Sequence, residues 1–450
     1  MTATRRAESA HTATAPVPSV PNTYWWWLGG ITLSLLGSQT QAFALGWTAT
    51  ATSGALAGIV LSAFTIPNLV LVLIGGAVSD QSGPWRVMVT SDAAMLIVTV
   101  ALAVGVALIG TPPWLLVVTA ALVGAAAAFY SPASGVLPRL LVDESALGRA
   151  MAARQTSGQL ANSLGPPLGG VIVTALGLGV AALVNAATFA IMLVLLVTLR
   201  RKMCTQTPPA TGGGLLARAA EGLIVCWRDS LLRPLLLLTL VAAAVLLPVT
   251  SILVPLLVRA HGWNAVAAGQ IVGAQALGSG LAVLVILWRN TSRSPGIASS
   301  AGLCLAGIST ASLAATPTTL SASIAGFSAG VGIGIFGAHV GPLLLGAAPH
   351  SHLARVQAVL ALVQALPLLV TLNLVGAIAD RAGPTVVIAS SGILTLIAGL
   401  AGITHRSVRT ASIKRMRITT PNPSSDSDCV ASTLNTHPHL PSSRRLAHRD

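Results

Sequence analysis

Long apolar runs separated by short polar connections dominate this chain. Twelve runs of roughly 20 residues are each long enough to cross a hydrocarbon layer of about 30 Å as a helix that rises about 1.5 Å per residue. They lie at approximately 25–46, 54–79, 87–109, 113–134, 150–174, 178–199, 233–257, 264–288, 295–315, 319–346, 353–379 and 384–404. The pattern predicts an all-α membrane protein with twelve transmembrane helices.

The cations lie almost entirely on one side of these predicted spans. If the N-terminus is inside, every one of the 25 Lys and Arg except Arg259 and Arg381 falls on an inner segment. An excess of Lys and Arg is typical of cytoplasmic loops, so the distribution supports the span count independently of hydropathy. We therefore expect a multi-pass protein of the bacterial inner (plasma) membrane with both termini cytoplasmic. The basic inner loops should touch anionic lipids.

Composition excludes several other classes of protein. Charged residues make up 8% of the chain and apolar residues 54%, which no soluble fold of this length would show. The net charge of +14 is spread over short loops and tails, so we expect no nucleic-acid partner. The four cysteines show no metal-ligand spacing, and we expect neither a metal nor a cofactor.

The spans divide into two halves. We expect pseudo-symmetric six-helix bundles at 23–199 and 233–404, joined by a cytoplasmic linker at 200–232 that contains an interfacial amphipathic helix. Segments 1–22 and 405–450 are predicted to be disordered tails, the second of them basic. Four residues recur 206 positions later: Leu147, Arg149, Gly170 and Gly177 return as Leu353, Arg355, Gly376 and Gly383. This shift is about the length of one half, as expected for two parallel repeats.

The connection between the second and third spans carries a recognisable motif. It reads GGAVSDQSGPWR and resembles the signature of the major facilitator superfamily at this position. Glycines allow close helix approach and a tight turn, and an Asp can accept backbone N–H groups at a helix end. The resemblance implies a latch that favours one end-state of a transporter, formed by Gly76, Asp80, Gly83 and Arg86.

The motif departs from the family pattern in two places. Gln81 stands where a basic residue is usual, and Pro84 and Trp85 replace the basic pair. The alternative is an ordinary Gly/Asp/Pro turn without a latch function. A second segment, GAIADRAGP from Gly376 to Pro384, repeats the pattern more completely on the predicted outer side.

The fifth span carries the sequence LGPPLGG. It resembles the antiporter motif of major facilitator exporters, and the matching positions are Gly165, Pro166, Gly169 and Gly170. Proline removes a helical hydrogen bond and glycines leave a flat packing surface, so such a helix can bend and rock. The alternative is a packing kink without directional meaning. The stretches 130–158 and 220–236 resemble the macrolide-efflux and enterobactin-exporter branch of the superfamily.

Polar side chains inside the spans are the candidate substrate-binding residues, because such groups usually face the bundle interior. They are Gln39, Gln41, Gln155, Gln159, Asn162, Gln275, His339 and Gln364. Gln155, Gln159 and Asn162 share one helix face, since they are spaced i, i+4 and i+7. A single amide more often joins two helices, but the set as a whole favours an uncharged cavity.

Proton coupling finds few carriers in the spans. Asp80, Asp92 and His339 are the candidates, and no charged residue lies at a predicted midplane. The leading hypothesis is a monomeric secondary exporter of a small, moderately hydrophobic organic compound such as a drug, antibiotic or siderophore, coupled to protons. An importer or facilitator of the same fold and a non-transporting sensor or scaffold are the alternatives. We expect no enzyme activity, because the sequence offers no His pair, Asp-rich metal motif or nucleophile–base pair.

Overall fold

The first half of the protein consists of long helices. The computed structural model describes residues 20–200, 229–289, 294–347 and 353–410. The helices of the first half are α1 (Asn22–Thr50), α2 (Gly54–Ser82), α3 (Pro84–Ile109), α4 (Pro113–Leu141) and a 55-residue stretch, Glu144–Thr198. Gly177 has a φ of 81° and divides that stretch into α5 (144–176) and α6 (178–198).

The second half repeats this pattern. Its helices are α7 (Leu232–Ala260), α8 (Ala265–Arg289), α9 (Pro295–Leu313), α10 (Thr319–Ala347), α11 (Leu353–Ala382) and α12 (Pro384–Thr404), followed by the short α13 (Arg406–Arg409). A π-helical turn, Val249–Leu253, interrupts α7 after Pro248. The predicted amphipathic helix of the linker and most of both predicted tails lie outside the described residues.

The chain reverses direction at Gly177. The Tyr24 hydroxyl donates to the Ala150 carbonyl at 2.5 Å, and further along both helices Gly169 packs on Phe43, so α5 runs parallel to α1. Along α6 the order is opposite, because Gly37 packs on Asn185 whereas Gly30 packs on Met192. A glycine at this turn is required, since a positive φ strains any residue with a Cβ.

Ten helices in the described part are long and apolar enough to cross a membrane, with the 55-residue stretch counted once. Its reversal adds one further segment. Helix α1 is not among the ten, and its middle carries Ser38, Gln39, Thr40 and Gln41. The predicted all-α multi-pass fold is confirmed, whereas the count of twelve spans stays a prediction that depends on including α1 and on counting both parts of the 55-residue stretch.

The turns of the bundle lie at two opposite ends. One end holds the α1–α2, α5–α6, α7–α8 and α11–α12 connections, and we call it the outer end, following the charge-based prediction. The inner end holds the α2–α3, α4–α5 and α8–α9 connections. Of the described cations, Arg259 and Arg381 lie at the outer end, at the end of α7 and of α11.

The repeat predicted from the shift of 206 residues is visible in the geometry. Gly177 ends α5 and Gly383 follows α11, with φ values of 81° and 83°. About two helical turns before each of them, Gly170 packs on the first residue of α8 and Gly376 packs on the first residue of α2. Helices α5 and α11 therefore occupy equivalent places in the two halves.

Glycines also hold each half together. A Cβ at Gly307 of α9 would lie 2.5 Å from the backbone nitrogen of Leu396 in α12, whereas nothing lies within 4 Å of a Cβ at Gly29 in α1. Such backbone contact is how helices associate in lipid, where packing replaces the hydrophobic effect.

We expect Gly307→Leu to destabilise the protein by about 1–3 kcal/mol or more, because the new side chain must push α9 and α12 apart. The melting temperature of the purified protein in detergent would measure this loss. Gly29→Leu is the matched control and should leave the melting temperature unchanged. Equal melting temperatures for both variants would contradict the packing described here.

Candidate functional site: the seam between the two halves

Two antiparallel helix pairs join the halves. In the first, α5 of the first half lies on α8 of the second, and in the other, α2 lies on α11. Both pairs are backbone contacts: a Cβ at Gly269 would lie 2.5 Å from the Pro166 carbonyl oxygen, and one at Gly58 would lie 2.5 Å from that of Leu372. Small residues allow this approach, and we call the two pairs together the seam.

The residues of the predicted antiporter motif lie in and beside the seam. Gly165 packs on Gln39 of α1, and Gly169 packs on Thr40 and Phe43 of the same helix. Gly170 faces the other half, because a Cβ there would lie 2.5 Å from the carbonyl oxygen of Ala265. The motif therefore lets one helix, α5, pack closely on both its own half and the opposite one.

Several candidate binding residues bond to helices of their own half. Gln39 Nε2 donates to Asn162 Oδ1, which joins α1 to α5. Gln41 is buried and accepts a 2.6 Å hydrogen bond from Asn185 of α6.

The second half shows the same kind of bonding. Gln275 Oε1 accepts a 3.0 Å hydrogen bond from Thr250, within the π-helical turn of α7. His339 is buried, and its Nδ1 lies 2.8 Å from the Ile335 carbonyl oxygen of its own helix.

Gln159 is the candidate that bridges the halves. Its Nε2 donates a 2.7 Å hydrogen bond to the Ala276 carbonyl oxygen of α8. A Cβ at Gly280, one turn further along α8, would lie 3.0 Å from the Gln159 side chain. Among these contacts between α5 and α8, those of Gln159 therefore lie nearest the inner end.

Helix α5 is exposed on two opposite faces. Leu160, Leu164 and Leu168 form one face, which is the face toward lipid. Gln155 and Asn162 are also exposed, although their i, i+7 spacing places them on the face between α1 and α8. Exposure on that inward face requires an opening inside the bundle.

The opening lies toward the inner end. Between α5 and α8, the hydrogen bonds and glycine contacts lie at the level of Gln159 and Gly280 and further outward. Between α2 and α11, they begin at Asn373, which donates a 2.8 Å hydrogen bond to the Ser62 hydroxyl, and continue outward to Asp380. Gln155 and Gln364 lie on the inner side of these contacts and are exposed. Because the contacts between the halves lie outward of these two residues, the bundle is closed at its outer end.

Two charges of the second half hold the outer end closed. Asp380, at the end of α11, accepts the N–H of Gly54 at 2.7 Å and that of Ala55 at 2.9 Å. These amides begin α2, and a carboxylate is stabilised there by the unpaired N–H groups and the helix dipole. Ser53 caps the same helix end by accepting the N–H of Leu56.

Arg259 makes the complementary contact with the end of α1. Its Nη2 donates a 2.6 Å hydrogen bond to the Trp47 carbonyl oxygen, and its Nε donates 3.1 Å to the Thr50 hydroxyl. Its guanidinium also lies 3.9 Å from the centroid of the Trp47 ring. Arg259 on the last carbonyls of α1 and Asp380 on the first amides of α2 together form what we call the outer clamp.

The predicted inner motif forms the turn expected of it. Gly83 has a φ of 85° and its N–H donates to the Ser79 carbonyl at 3.0 Å. Gly383, 300 residues later, has a φ of 83° and the equivalent bond to Ala379. Arg86 is exposed, and within the described ranges neither its guanidinium nor the Asp80 carboxylate makes a hydrogen bond or ion pair with another residue. In this state the second Asp, Asp380, engages the opposite half.

Asp92 differs from the other candidates for proton coupling. It is completely buried in α3, and both carboxylate oxygens lack a hydrogen-bond partner within the described residues. Asp80, by contrast, is half-buried at a helix end. The same part of the chain contains no group of three or more His, Cys, Asp or Glu residues that could hold a metal ion.

Sequence reasoning did not identify the outer clamp. Arg259 and Asp380 each had a signal, since Arg259 is one of two cations on the outer side and Asp380 repeats the Asp of the inner motif. Neither signal named a partner. The contacts appear only when the ends of α1 and α2 are brought against α7 and α11.

The chain belongs to the Major Facilitator Superfamily, whose family model matches residues 27–371. The protein is therefore a multi-pass membrane protein of a transporter family. Among curated relatives, it is 30% identical over 258 residues to the multidrug efflux pump Tap of Mycobacterium tuberculosis and of Mycobacterium bovis. That match covers 52% of this chain and 58% of Tap, so the chain spans little more than half the length of these relatives.

Solved structures share the fold. A peptide transporter POT in complex with sulfate has a TM-score of 0.70 at 14% identity, covering 86% of this chain and 95% of that one. A POT family transporter in complex with 5-aminolevulinic acid has a TM-score of 0.69 at 13% identity, with coverage of 87% and 97%. The nucleoside transporter NupG has a TM-score of 0.67 at 14% identity, with coverage of 85% and 99%.

The outer clamp makes a prediction about amide exchange. In Asp380→Ala, the N–H groups of Gly54 and Ala55 lose their acceptor, and we expect hydrogen exchange at the start of α2 to accelerate roughly fivefold, equivalent to about 1 kcal/mol for an exposed charged contact. Mass spectrometry of peptides that cover residues 51–60 would measure it. Arg381→Ala, the exposed neighbouring residue, is the control and should leave this exchange rate unchanged. Equal exchange rates in both variants would contradict the contact between Asp380 and the start of α2.

Proposed function

We propose that the protein exports a small, moderately hydrophobic and uncharged organic compound across the bacterial plasma membrane by alternating access. Both termini would be cytoplasmic, and the seam would open in turn to either side. The observation that carries the proposal is the opening beside Gln155 and Gln364 at the inner end, combined with the clamped outer end. An exporter loads its cargo from the cytoplasm and needs this state. Similarity to the multidrug efflux pump Tap supports the same direction.

An uncharged cargo follows from the side chains available. The candidate residues at the opening are amides, which can donate and accept hydrogen bonds but carry no charge. The described carboxylates lie elsewhere: Asp92 is enclosed, and the others are at or near helix ends, namely Asp80, Asp143, Glu144, Asp229 and Asp380. A permanent cation inside the membrane would need a carboxylate partner.

We assign the candidate residues to three roles. Gln155, Asn162 and Gln364 would contact the cargo, because they are exposed at or inside the opening. Gln159 and the motif glycines would position the seam, since they join α5 to α1 and α8. Gln41, Gln275 and His339 have partners within their own half and would support the cavity from behind.

Transport by inverted membrane vesicles tests direction and charge preference together. With a proton gradient directed outward from an acidic lumen, we expect vesicles that contain the protein to accumulate Nile red, an uncharged dye, and not ethidium, a permanent cation. Accumulation of ethidium alone would contradict the uncharged site. If neither dye nor any uncharged drug moves, while the protein is inserted and folded, the sensor or scaffold alternative is favoured. Uptake in the opposite direction would favour an importer.

The amides should matter specifically for the cargo. We expect Gln155→Leu to reduce Nile red accumulation by about tenfold, the loss of one hydrogen bond of about 1–1.5 kcal/mol. Leu164→Ala, on the lipid face of the same helix, is the matched control and should retain transport. Gly165→Leu should abolish transport, since its side chain would separate α5 from α1. Equal transport by Gln155→Leu and the parent protein would remove Gln155 from the site.

A further inference from the structure

A second polar cluster lies inside the first half, apart from the seam. Three of its groups are buried without a hydrogen-bond partner in the described residues: both carboxylate oxygens of Asp92, the hydroxyl of Tyr130 and the indole N–H of Trp27. Buried polar groups almost always find partners, and a buried carboxylate without one is costly. Unsatisfied groups gathered at one place call for a functional explanation.

Arg154 of α5 is the cation of this cluster. Its Nη2 donates a 3.2 Å hydrogen bond to the Ser134 hydroxyl of α4, and its guanidinium lies 5.9 Å from the centroid of the Trp27 ring. A guanidinium carries five N–H donors, of which this contact uses one. Arg154 and Asp92 both lie near enough to Tyr130 for their charges to act on its phenol.

The elements around Asp92 supply few other titratable groups. Tyr130 comes from α4, Arg154 from α5 and Tyr24 from α1, whose hydroxyl already donates to the Ala150 carbonyl. Helix α6 carries no titratable residue. Among the described residues, Asp92 is thus the one carboxyl group of the cluster.

We propose that Asp92, with Tyr130 and Arg154, is the proton-binding site of this transporter. The inference rests on the proposed function and names its coupling ion. In the state seen here Asp92 would hold its proton, because an unpaired carboxylate buried there costs far more than an unpaired carboxylic acid, and Arg154 bonds to Ser134. When Asp92 releases its proton to solvent, the carboxylate would pair with the Arg154 guanidinium, the phenol of Tyr130 would donate to it, and the Ser134 bond would break.

This exchange would act on the seam because of where Arg154 lies. It precedes Gln155, which is exposed at the opening, and it is five residues before Gln159, which bonds to α8. Drawing Arg154 toward α3 pulls on α5, which packs on α1 of its own half and on α8 of the other. Protonation of Asp92 would therefore bias the choice between the two end-states, with Arg154 and Tyr130 as positioning residues.

Infrared difference spectroscopy of the full chain in lipid nanodiscs tests the site directly. Between acidic and alkaline pH, we expect a C=O band of a protonated carboxyl that is absent in Asp92→Asn and retained in Asp80→Asn. Tyr130→Phe and Arg154→Gln should shift the pH at which the band disappears. A band that persists in Asp92→Asn would overturn the assignment.

A second readout connects the proton to the seam. A bimane fluorophore on Gly76→Cys, with Cys204, Cys226, Cys304 and Cys429 replaced by Ser, reports the inner end of α2, where nothing lies within 4 Å of a Cβ. Its emission should change with pH in the parent and in Asp80→Asn, and not in Asp92→Asn. Retained pH dependence in Asp92→Asn would refute the coupling. Neither readout needs a cargo, so failure here leaves the dye-transport result standing, and the reverse also holds.

Discussion

Direct contact between helix backbones is the constraint on which this structure depends. At the seam, α5 meets α8 and α2 meets α11 largely through glycines and carbonyl groups, and side-chain hydrogen bonds from Gln159 and Asn373 add to this packing. The backbone contacts are short and flat. Because few long side chains interlock there, such a surface is suited to a rocking motion of one half on the other. The polar groups that would bind cargo can therefore be covered and uncovered without unfolding any helix.

The backbone contacts of the seam lie toward the outer end, and the charges at the helix ends add to them there. Asp380 on the amides of α2 and Arg259 on the carbonyls of α1 use the unpaired groups that every helix end leaves. Both act on the same connection between α1 and α2, so they reinforce each other. The turn around Asp80, at the opposite end of the bundle, has a glycine of nearly the same φ, and the Asp80 carboxylate has no partner among the described residues. An equivalent contact of Asp80 in a state with a closed inner end is a prediction.

Much of the fold was readable from the sequence because a membrane limits the possible structures. Apolar run length predicted the helices, and the reversal at Gly177 separates the predicted fifth and sixth spans. The sidedness inferred from the cations stays a prediction. The shift of 206 residues pointed to the equivalence of α5 and α11, because each helix needs one glycine at the turn that ends it and another at its close contact with the opposite half. The family resemblance drawn from the two motifs is confirmed by the match to the Major Facilitator Superfamily.

The site was less predictable for a physical reason. An amide in a span looks the same in the sequence whether it joins two helices, as Gln41 does with Asn185, or faces an opening, as Gln155 does. Only tertiary packing separates these cases. The outer clamp escaped prediction because its acceptors and donors are backbone groups, which no side-chain pattern reveals. The assignments of Asp92 and of the cargo-facing amides stay predictions.

The central claim is that the two ends of the seam open in alternation. Distances between spin labels, measured by double electron–electron resonance, test it most directly. One pair of labels, at Thr52→Cys and Asn264→Cys, spans the outer end. The other pair, at Gln81→Cys and Arg289→Cys, spans the inner end. The account predicts that any condition that lengthens the outer distance shortens the inner one, and that Asp380→Ala raises the population with a long outer distance. Two distances that lengthen together, or that never change, would contradict it.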